Sequence, residues 1–407
     1  MRLTKCADAH NDPFVSAVPR DLAPALRAAA RQYPVVTITG PRQSGKTTLC
    51  RVEFPDHAYI NLERLDLREY ARSDPRGFLD EHRDGAILDE VQHVPELLSW
   101  LQVEVDERPD VGRFVLTGSQ QFSLTQAISQ SLAGRTAILH LLPLALDELQ
   151  RFDKPPDTLF ETLLAGAYPR VHDRGLDAQV WHAGYITTYV ERDVRQLKAI
   201  GDLEAFASFV QLAAGRTAQT VNLSSLGGDA GVSHNTARSW LSVLEASYLL
   251  HRLPPWHRNV KKRVTKAPKL HFIDSGLLCH LLGIRSVEAL RHHPLRGAIF
   301  ESWVVSEVLK ARRNAGLSPR LFHFRDHKGL EVDLVVEMAE AVALVEAKSG
   351  ATVAADFFEP LRRLAGLADG VEWRPLLPRV VYGGLDPQRR SDLEVVPWAE
   401  IAQLPWD

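Results

Sequence analysis

The chain has 407 residues, of which 45% are hydrophobic and 24% are charged, and its formal net charge at pH 7 is −3. This length exceeds what a single hydrophobic core usually supports, so the composition indicates a globular protein of two or three domains. The net charge excludes a globally basic nucleic-acid-binding protein but leaves room for a local basic surface.

The cysteines and the hydropathy pattern predict a cytoplasmic protein with no membrane partner. Cys6, Cys50 and Cys279 are scattered and show no C-x-x-C spacing. That arrangement favours a reducing compartment and argues against a disulfide framework or a cysteine-based zinc site. The N-terminus lacks the apolar core of a signal peptide, and no segment is apolar for long enough to span a bilayer.

The first predicted element is a phosphate-binding loop. Residues 33–50 contain a β-branched run, then G-x-x-x-x-G-K-[ST], then a segment that can be helical. A P-loop needs this strand before it and this helix after it, whereas a chance glycine-rich turn does not. We therefore predict that the loop binds the phosphates of ATP, with Lys46 reaching the β- and γ-phosphates and Thr47 binding Mg²⁺. The predicted loop residues are Gly40, Pro41, Arg42, Gln43, Ser44, Gly45, Lys46, Thr47 and Thr48.

Two further strands and an acidic pair follow. The second strand is predicted at residues 58–62, and the third in G-A-I-L-D-E-V, whose apolar residues run directly into Asp89 and Glu90. An apolar strand ending in Asp-Glu about forty residues after a P-loop is a Walker B pattern. We predict that Asp89 holds Mg²⁺ and that Glu90 polarises the attacking water as the catalytic base.

The fourth and fifth strands carry polar residues near the predicted nucleotide. The fourth strand is predicted in R-F-V-L-T-G-S-Q-Q, and Thr117 and Ser119 lie near its carboxyl end. We predict that they sense the γ-phosphate at that edge of the sheet; a plain turn is the alternative. The fifth strand, T-A-I-L-H-L-L-P-L, is preceded by Arg135. In ring-forming ATPases this place often carries an arginine that reaches the γ-phosphate bound by a neighbouring subunit. We therefore predict that Arg135 has this role in a homo-oligomeric ring. The alternative is a surface arginine at a helix end.

These segments resemble a known family. G-P-R-Q-S-G-K-T-T, L-D-E-V-Q, L-T-G-S and S-L-A-G-R, in this order, are similar to prokaryotic AAA-type ATPases that end in a domain of uncharacterised function. G-A-Y-P at residues 166–169 and T-Y-V-E-R-D-V at residues 188–194 fit the lid region of that family. The resemblance implies an α/β fold with an AAA-type core at residues 1–150 and a helical lid at 151–202. Within the lid, Arg192 is either a second phosphate sensor or a member of a local charge cluster.

Residues 203–283 are predicted to form a winged helix. Ser224 is placed as the cap of a short helix, a turn follows, and a second helix is predicted from His234 to Ala246. The basic hairpin at residues 256–269 would be the wing. We predict DNA contacts from Asn235 and Arg238 on the second helix and from the wing; the alternative is a packing module with a solvated basic loop. The predicted wing contacts are Lys261, Lys262, Arg263 and Lys266.

The C-terminal segment, residues 284–407, carries spaced acidic residues. Glu301 shares the apolar face of a predicted helix, Asp333 lies on the second strand of a hairpin, and Glu346 and Lys348 point to one face of the next strand. This order resembles the PD-(D/E)xK, restriction-endonuclease-like fold. The resemblance implies catalytic roles for all four residues, with Asp333 and Glu346 binding Mg²⁺. An ion-pair ladder on a half-exposed sheet is the alternative.

The sequence leads to one main functional hypothesis and one alternative. The main hypothesis is an AAA-type protein that binds and hydrolyses ATP and acts on or with DNA. Whether the C-terminal domain also cleaves DNA with Mg²⁺ is left open. The alternative is a nucleotide-dependent switch or scaffold whose nuclease-like domain binds a partner without cutting.

Overall fold

A computed structural model describes residues 18–118, 128, 130–189, 202–256, 267–368 and 374–407. Its N-terminal part is built on a five-stranded sheet with the order β2-β3-β4-β1-β5, in which every neighbouring pair is parallel. All five strands lie where the sequence predicts them. They are β1 (Val35–Thr39), β2 (Ala58–Asn61), β3 (Ala86–Asp89), β4 (Phe114–Gly118) and β5 (Thr136–His140).

Helices cover both faces of this sheet. The central strands are short runs of Val, Ile, Leu and Phe that are buried on both sides, as expected for a parallel sheet between two helical layers. Val35 and Leu116 belong to the apolar cluster on one face, and Val36 and Val115 belong to that on the other. The helices are α1 (Ala23–Ala30), α2 (Lys46–Glu53), α3 (Leu65–Ser73), α4 (Pro75–Glu81) and α5 (Leu97–Glu107).

Four short helices follow the sheet, the first just before the predicted lid and the other three within it. Two of them begin at side-chain caps: Thr158 and Glu161 form a capping box, and Asp177 accepts hydrogen bonds from the amides of Gln179 and Val180. Arg192 lies outside the described residues. The helices are α6 (Leu146–Leu149), α7 (Leu159–Ala165), α8 (Pro169–Asp173) and α9 (Ala178–Thr188).

The middle region has three helices and then a two-stranded antiparallel sheet, in the order predicted for a winged helix; that assignment stays a prediction. The cap of the short helix is Asn222, whose side chain accepts from the amide of Ser225, so the placement of Ser224 as the cap is wrong. Lys261, Lys262, Arg263 and Lys266 lie outside the described residues. The elements are α10 (Leu203–Ala214), α11 (Leu223–Asp229), α12 (His234–Ala246), β6 (Leu250–Leu253), β7 (Lys269–Phe272), α13 (Ser275–Leu281) and α14 (Val287–His292).

The C-terminal region is a mixed sheet with the order β12-β13-β11-β10-β9-β8. Strands β8 to β10 are antiparallel, and β10 pairs in parallel with β11, which pairs in parallel with β13. The helix at residues 296–314 and the hairpin whose second strand carries Asp333 lie where the sequence predicts them. The elements are α15 (Arg296–Asn314), β8 (Leu321–Arg325), β9 (Glu331–Glu337), β10 (Val342–Lys348), α16 (Glu359–Ala368), β11 (Leu376–Tyr382), β12 (Gln388–Arg389) and β13 (Glu394–Pro397).

One apolar core joins the lid, the middle region and the C-terminal region. Leu163 of α7, Phe209 of α10, Leu270 of β7 and Val345 of β10 all belong to it. The backbone of His323 in β8 also pairs with the residues after β6, donating to the carbonyl of Pro254 at 2.9 Å. These three regions are therefore packed together rather than strung as separate modules. Within the described residues, no helix is both long and apolar enough to cross a membrane.

Candidate functional site

The phosphate-binding loop runs from the carboxyl end of β1 to the start of α2, and two glycines fix its path. A Cβ at Gly40 would come within 2.1 Å of the carbonyl oxygen of Leu141, so no other residue fits there. Gly45 precedes α2 with φ of +92°, a conformation that favours glycine. The loop and the amino end of α2 thus form the strand–loop–helix arrangement that a P-loop requires.

Lys46 lies inside this loop. Its ammonium donates to the carbonyl oxygens of Gly40 at 3.1 Å and Pro41 at 2.8 Å, and the side chain is buried. Burial lowers the pKa of Lys46, and the negative charges of Glu90 and Asp89 oppose that shift. The buried hydroxyl of Ser44 has no hydrogen-bond partner among the described residues. These polar groups fit the phosphates of a nucleotide. A bound phosphate would accept a hydrogen bond from the Ser44 hydroxyl and would pair with the Lys46 ammonium in place of the loop carbonyls.

Three hydroxyl groups converge on Asp89 at the end of β3. Thr47 and Tyr59 each donate to Asp89 Oδ2 at 2.8 Å, and Thr117 of β4 donates to Asp89 Oδ1. The aspartate is almost fully buried, so these bonds replace the water that its charge would otherwise need. Burial and the Asp89 charge raise the pKa of Tyr59, which remains a hydroxyl donor. Thr47 and Asp89 are thus side by side where Mg²⁺ would be held.

Glu90 is placed by an unusual backbone conformation. Its φ is +57°, and its carboxylate accepts a hydrogen bond from Gln92. Glu90, Arg42, Lys46 and Thr48 line a cavity of about 900 Å³ beside the loop. Arg170 of the predicted lid lines the same cavity. The predicted loop, Glu90 of the predicted Walker B pair and the predicted lid are therefore brought together around one cavity.

A buried ion pair behind the loop was missed by sequence reasoning. The Arg20 guanidinium donates to the Ser44 carbonyl at 2.6 Å, the Leu142 carbonyl at 2.8 Å and Glu148 Oε1 at 2.9 Å. Glu148, which is fully buried, also accepts from the amides of Asp21 and Ala145. The pair braces the loop against the segment after β5. Only the capping position of Glu148 in α6 gave a local signal for it.

Other predicted nucleotide residues have mixed placements. Thr117 is buried beside Asp89, where its hydroxyl also lies 3.4 Å from the Glu90 amide. Ser119 lies outside the described residues. Arg135 forms a two-bond ion pair with Asp106, through its Nε at 2.6 Å and its Nη2 at 2.8 Å. Within one chain Arg135 therefore holds a surface helix, and its predicted role toward a neighbouring subunit stays a prediction.

The predicted residues of the C-terminal region lie close together, and each carboxylate already has a protein hydrogen-bond donor. Asp333 Oδ2 accepts from the amide of Ala347 at 2.9 Å, and Glu346 Oε1 accepts from Lys348 at 2.6 Å. Glu346 Oε2 is buried with no hydrogen-bond partner among the described residues. Burial and the Asp333 charge raise the pKa of Glu346 to about 8, against the opposing effect of Lys348.

A lysine from the middle region completes this cluster. Lys269, which the sequence places in the exposed basic hairpin, is buried on β7 with only 2% of its side chain accessible. Its Nζ lies 2.5 Å from Glu331 Oε1, 2.9 Å from Glu301 Oε1 and 3.7 Å from Asp333 Oδ1. Burial and the Asp333 charge raise the pKa of Glu301 well above its ordinary value. Burial alone would lower the pKa of Lys269, but the surrounding carboxylates raise it.

The two predicted DNA contacts on α12 are exposed. Asn235 and Arg238 lie on the outer face of α12, while Ala237, Trp240 and Leu241 face the core. This placement leaves both side chains accessible, and their contact with DNA stays a prediction.

Comparison with known proteins agrees with the N-terminal site. The uncharacterized protein Rv2008c of Mycobacterium tuberculosis is 33% identical over 325 residues, covering 79% of this chain and 71% of the relative. The uncharacterized protein Mb2031c of Mycobacterium bovis gives the same values. Residues 32–150 match the AAA domain family AAA_14. The chain belongs to the same family as these two proteins, and its residues 32–150 form an AAA-type ATPase domain.

The rest of the chain matches two domains of unknown function, DUF8612 at residues 156–288 and DUF4143 at residues 296–401. The AAA domain match contains Lys46, Asp89 and Glu90 but not Arg20. A solved structure, the Walker-type ATPase PABY2304 of Pyrococcus abyssi, has a TM-score of 0.45 and 15% identity, covering 64% of this chain and 94% of that chain. At that distance it adds nothing about function.

Proposed function

We propose that this AAA-type ATPase binds Mg·ATP at the loop of residues 40–48 and hydrolyses it. The observation that carries the proposal is that Lys46, Thr47 and Glu90 line one cavity while the Thr47 hydroxyl donates to Asp89 directly behind it. Thr47 and Asp89 would hold Mg²⁺, which when bound supplies positive charge to the phosphate oxygens. Glu90 would orient the attacking water and accept its proton, while Lys46 steadies the phosphates.

Nucleotide binding provides the direct test. Lys46→Ala removes the buried ammonium that would pair with the β- and γ-phosphates, so we expect Mg·ATP affinity to fall by about 100-fold, since losing one partner of a desolvated charge pair costs several kcal/mol. Isothermal titration calorimetry of the wild type and the variant measures this. Lys310→Met is the matched control, because it removes another buried lysine that contacts Leu144 and Glu307 instead. Equal ATP affinity of Lys46→Ala and wild type would contradict the proposal.

We further propose that the protein acts on or with DNA, through the exposed Asn235 and Arg238 and the basic segment that contains Lys261, Lys262, Arg263 and Lys266. In the same proposal, the C-terminal region is a PD-(D/E)xK nuclease-like domain, and Arg135 acts across subunits in a ring. What supports the nuclease-like assignment is the convergence of Glu301, Asp333, Glu346 and Lys348 on one sheet surface. Cleavage of DNA in Mg²⁺ that persists in an Asp333→Asn, Lys348→Ala variant would count against it.

A second candidate, the nucleotide-dependent switch or scaffold, is favoured by a contact between the ATPase core and the middle region. The hydroxyl of Tyr248, just after α12, lies 2.7 Å from Thr39 Oγ1 and 2.9 Å from His140 Nδ1. Thr39 directly precedes Gly40 of the phosphate loop. Burial and the Arg313 charge lower the pKa of His140 to about 3, so the ring is neutral in this contact. A change at the loop therefore has a direct route to the middle region.

Tyr248→Phe tests this route, because it deletes only the bridging hydroxyl. If nucleotide state is transmitted through it, a non-hydrolysable ATP analogue should change the DNA affinity of the wild type by about 5-fold or more, the range typical of allosteric coupling. In Tyr248→Phe that ratio should approach one while ATP affinity is retained. DNA binding measured by fluorescence anisotropy, with and without the analogue, gives both ratios. An unchanged ratio in a folded variant would rule this contact out.

A further inference from the structure

The carboxylate cluster of the C-terminal region already contains a cation. The ammonium of Lys269 lies where oxygens of Glu331, Glu301 and Asp333 converge, and it is shielded from solvent. These acids come from β9 and α15 within the DUF4143 match, whereas Lys269 comes from β7 within the DUF8612 match. One region thus supplies the acids and another supplies the positive charge.

The packing of β7 makes this position a fixed one. Leu270 and Phe272 of the same strand are fully or almost fully buried, and β7 pairs with β6 through four residue pairs. His271, on the same face as Lys269, lies 3.1 Å through its Nδ1 from the hydroxyl of Ser302 on α15. Lys269 is therefore held against α15 by the packing of its own strand and the His271 contact, not only by its charge. A buried ammonium with this many carboxylate neighbours recovers a large part of its desolvation cost.

The same geometry leaves no arrangement ready for a divalent ion. Mg²⁺ and Mn²⁺ need several oxygens about 2.0–2.2 Å from one centre, and an ammonium at that centre repels them. Among the described residues, no group of three or more His, Cys, Asp or Glu side chains is arranged to hold a metal ion. The predicted ligand Asp333 instead bonds the Ala347 amide, and Glu346 bonds Lys348.

We propose that Lys269 is an internal cation that takes the metal's place in the C-terminal carboxylate cluster, so that a divalent ion enters only when this ammonium is absent or withdrawn. The inference goes beyond the proposed ATPase. Any metal-dependent chemistry at Asp333 would first require the Lys269 ammonium to be withdrawn from the cluster. While β7 is docked, the cluster joins the middle region to the C-terminal region.

Mn²⁺ binding to the full-length, nucleotide-free protein tests the inference, with electron paramagnetic resonance counting the bound ions. Wild type should show no Mn²⁺ site that depends on Asp333, so wild type and Asp333→Asn should bind alike. Lys269→Met keeps a side chain of similar length but removes the charge. This variant should gain one Mn²⁺ site whose affinity is at least ten-fold higher than any Mn²⁺ affinity of the wild type at the cluster. The melting temperature of Lys269→Met should rise with Mn²⁺, and both effects should vanish in Lys269→Met, Asp333→Asn.

Lys310→Met is the control, since Lys310 is equally buried but pairs with Glu307 outside this cluster; it should gain no Mn²⁺ site. A Mn²⁺ site in the wild type that Asp333→Asn removes would overturn the inference, as would a folded Lys269→Met that binds no additional ion. If Lys269→Met does not fold, the comparison of wild type with Asp333→Asn still decides. ATP binding at Lys46 is measured separately, so failure of either proposal leaves the other standing.

Discussion

Replacing Glu90 by Gln should leave ATP binding intact and reduce the rate of hydrolysis by about 100-fold or more, the usual range for loss of a general base. The amide keeps the size of the side chain and its contact with Gln92 but no longer accepts the proton of water. Asp89, Thr47 and Thr117 keep their hydrogen bonds, so the Mg²⁺ position is not disturbed. In the proposed function, binding depends on Lys46 and chemistry depends on Glu90, so the two variants should lose different steps.

Phosphate release under saturating ATP measures the rate, and calorimetry measures the affinity. Glu63→Gln is the matched control, because Glu63 lines the same cavity from an exposed position. It removes the same charge without altering the Asp89 contacts described above, and it should hydrolyse ATP at close to the wild-type rate. Normal hydrolysis by Glu90→Gln would show that another group activates the water.

Replacing Glu148 by Ala should be the most destabilising single change in the ATPase core. Arg20 would remain buried without its counter-charge, and the amides of Asp21 and Ala145 would lose their acceptor. Breaking a buried ion pair from one side costs about 3–5 kcal/mol, which is a large part of a domain's stability. Because Arg20 also bonds the Ser44 carbonyl, ATP affinity should fall together with stability.

Urea denaturation followed by tryptophan fluorescence measures the loss of stability. Asp66→Ala is the control, because it breaks an ion pair with Arg64 in which both side chains are 63% exposed; its unfolding midpoint should not move measurably. The double variant Arg20→Met, Glu148→Ala should recover part of the stability, since it leaves no unpaired buried charge. Equal effects of Glu148→Ala and Asp66→Ala would show that the brace does not stabilise the core.

The geometry of the predicted phosphate-binding loop could be foreseen because its signals are local. Gly40, Gly45, Lys46 and Thr47 lie within eight consecutive residues, and their roles follow from one loop between a strand and a helix. Asp89 and Glu90 end an apolar strand, and parallel strands bring their carboxyl ends to one edge of the sheet. For the same reason, the five strands of the core could be placed before the structure was known.

The contacts that needed the structure join residues far apart in the chain. Arg20 and Glu148 are separated by 128 positions, and Thr39 and Tyr248 by 209. No spacing rule links such residues, and each is unremarkable in its own segment. Arg135 shows the opposite case, because its sequence context suggested a partner in another subunit while the folded chain provides Asp106.

The sequence by itself determined the strand–loop–helix arrangement of residues 35–53, since close spacing fixes which side chains meet within a few residues. It also determined that Glu346 and Lys348 share one face of a strand. Only the tertiary structure decided that Lys269 is a buried counter-ion rather than part of a solvated basic loop, because that depends on β7 packing against α15. The residue type alone does not distinguish a buried lysine from a solvated one; the carboxylates packed around Lys269 do.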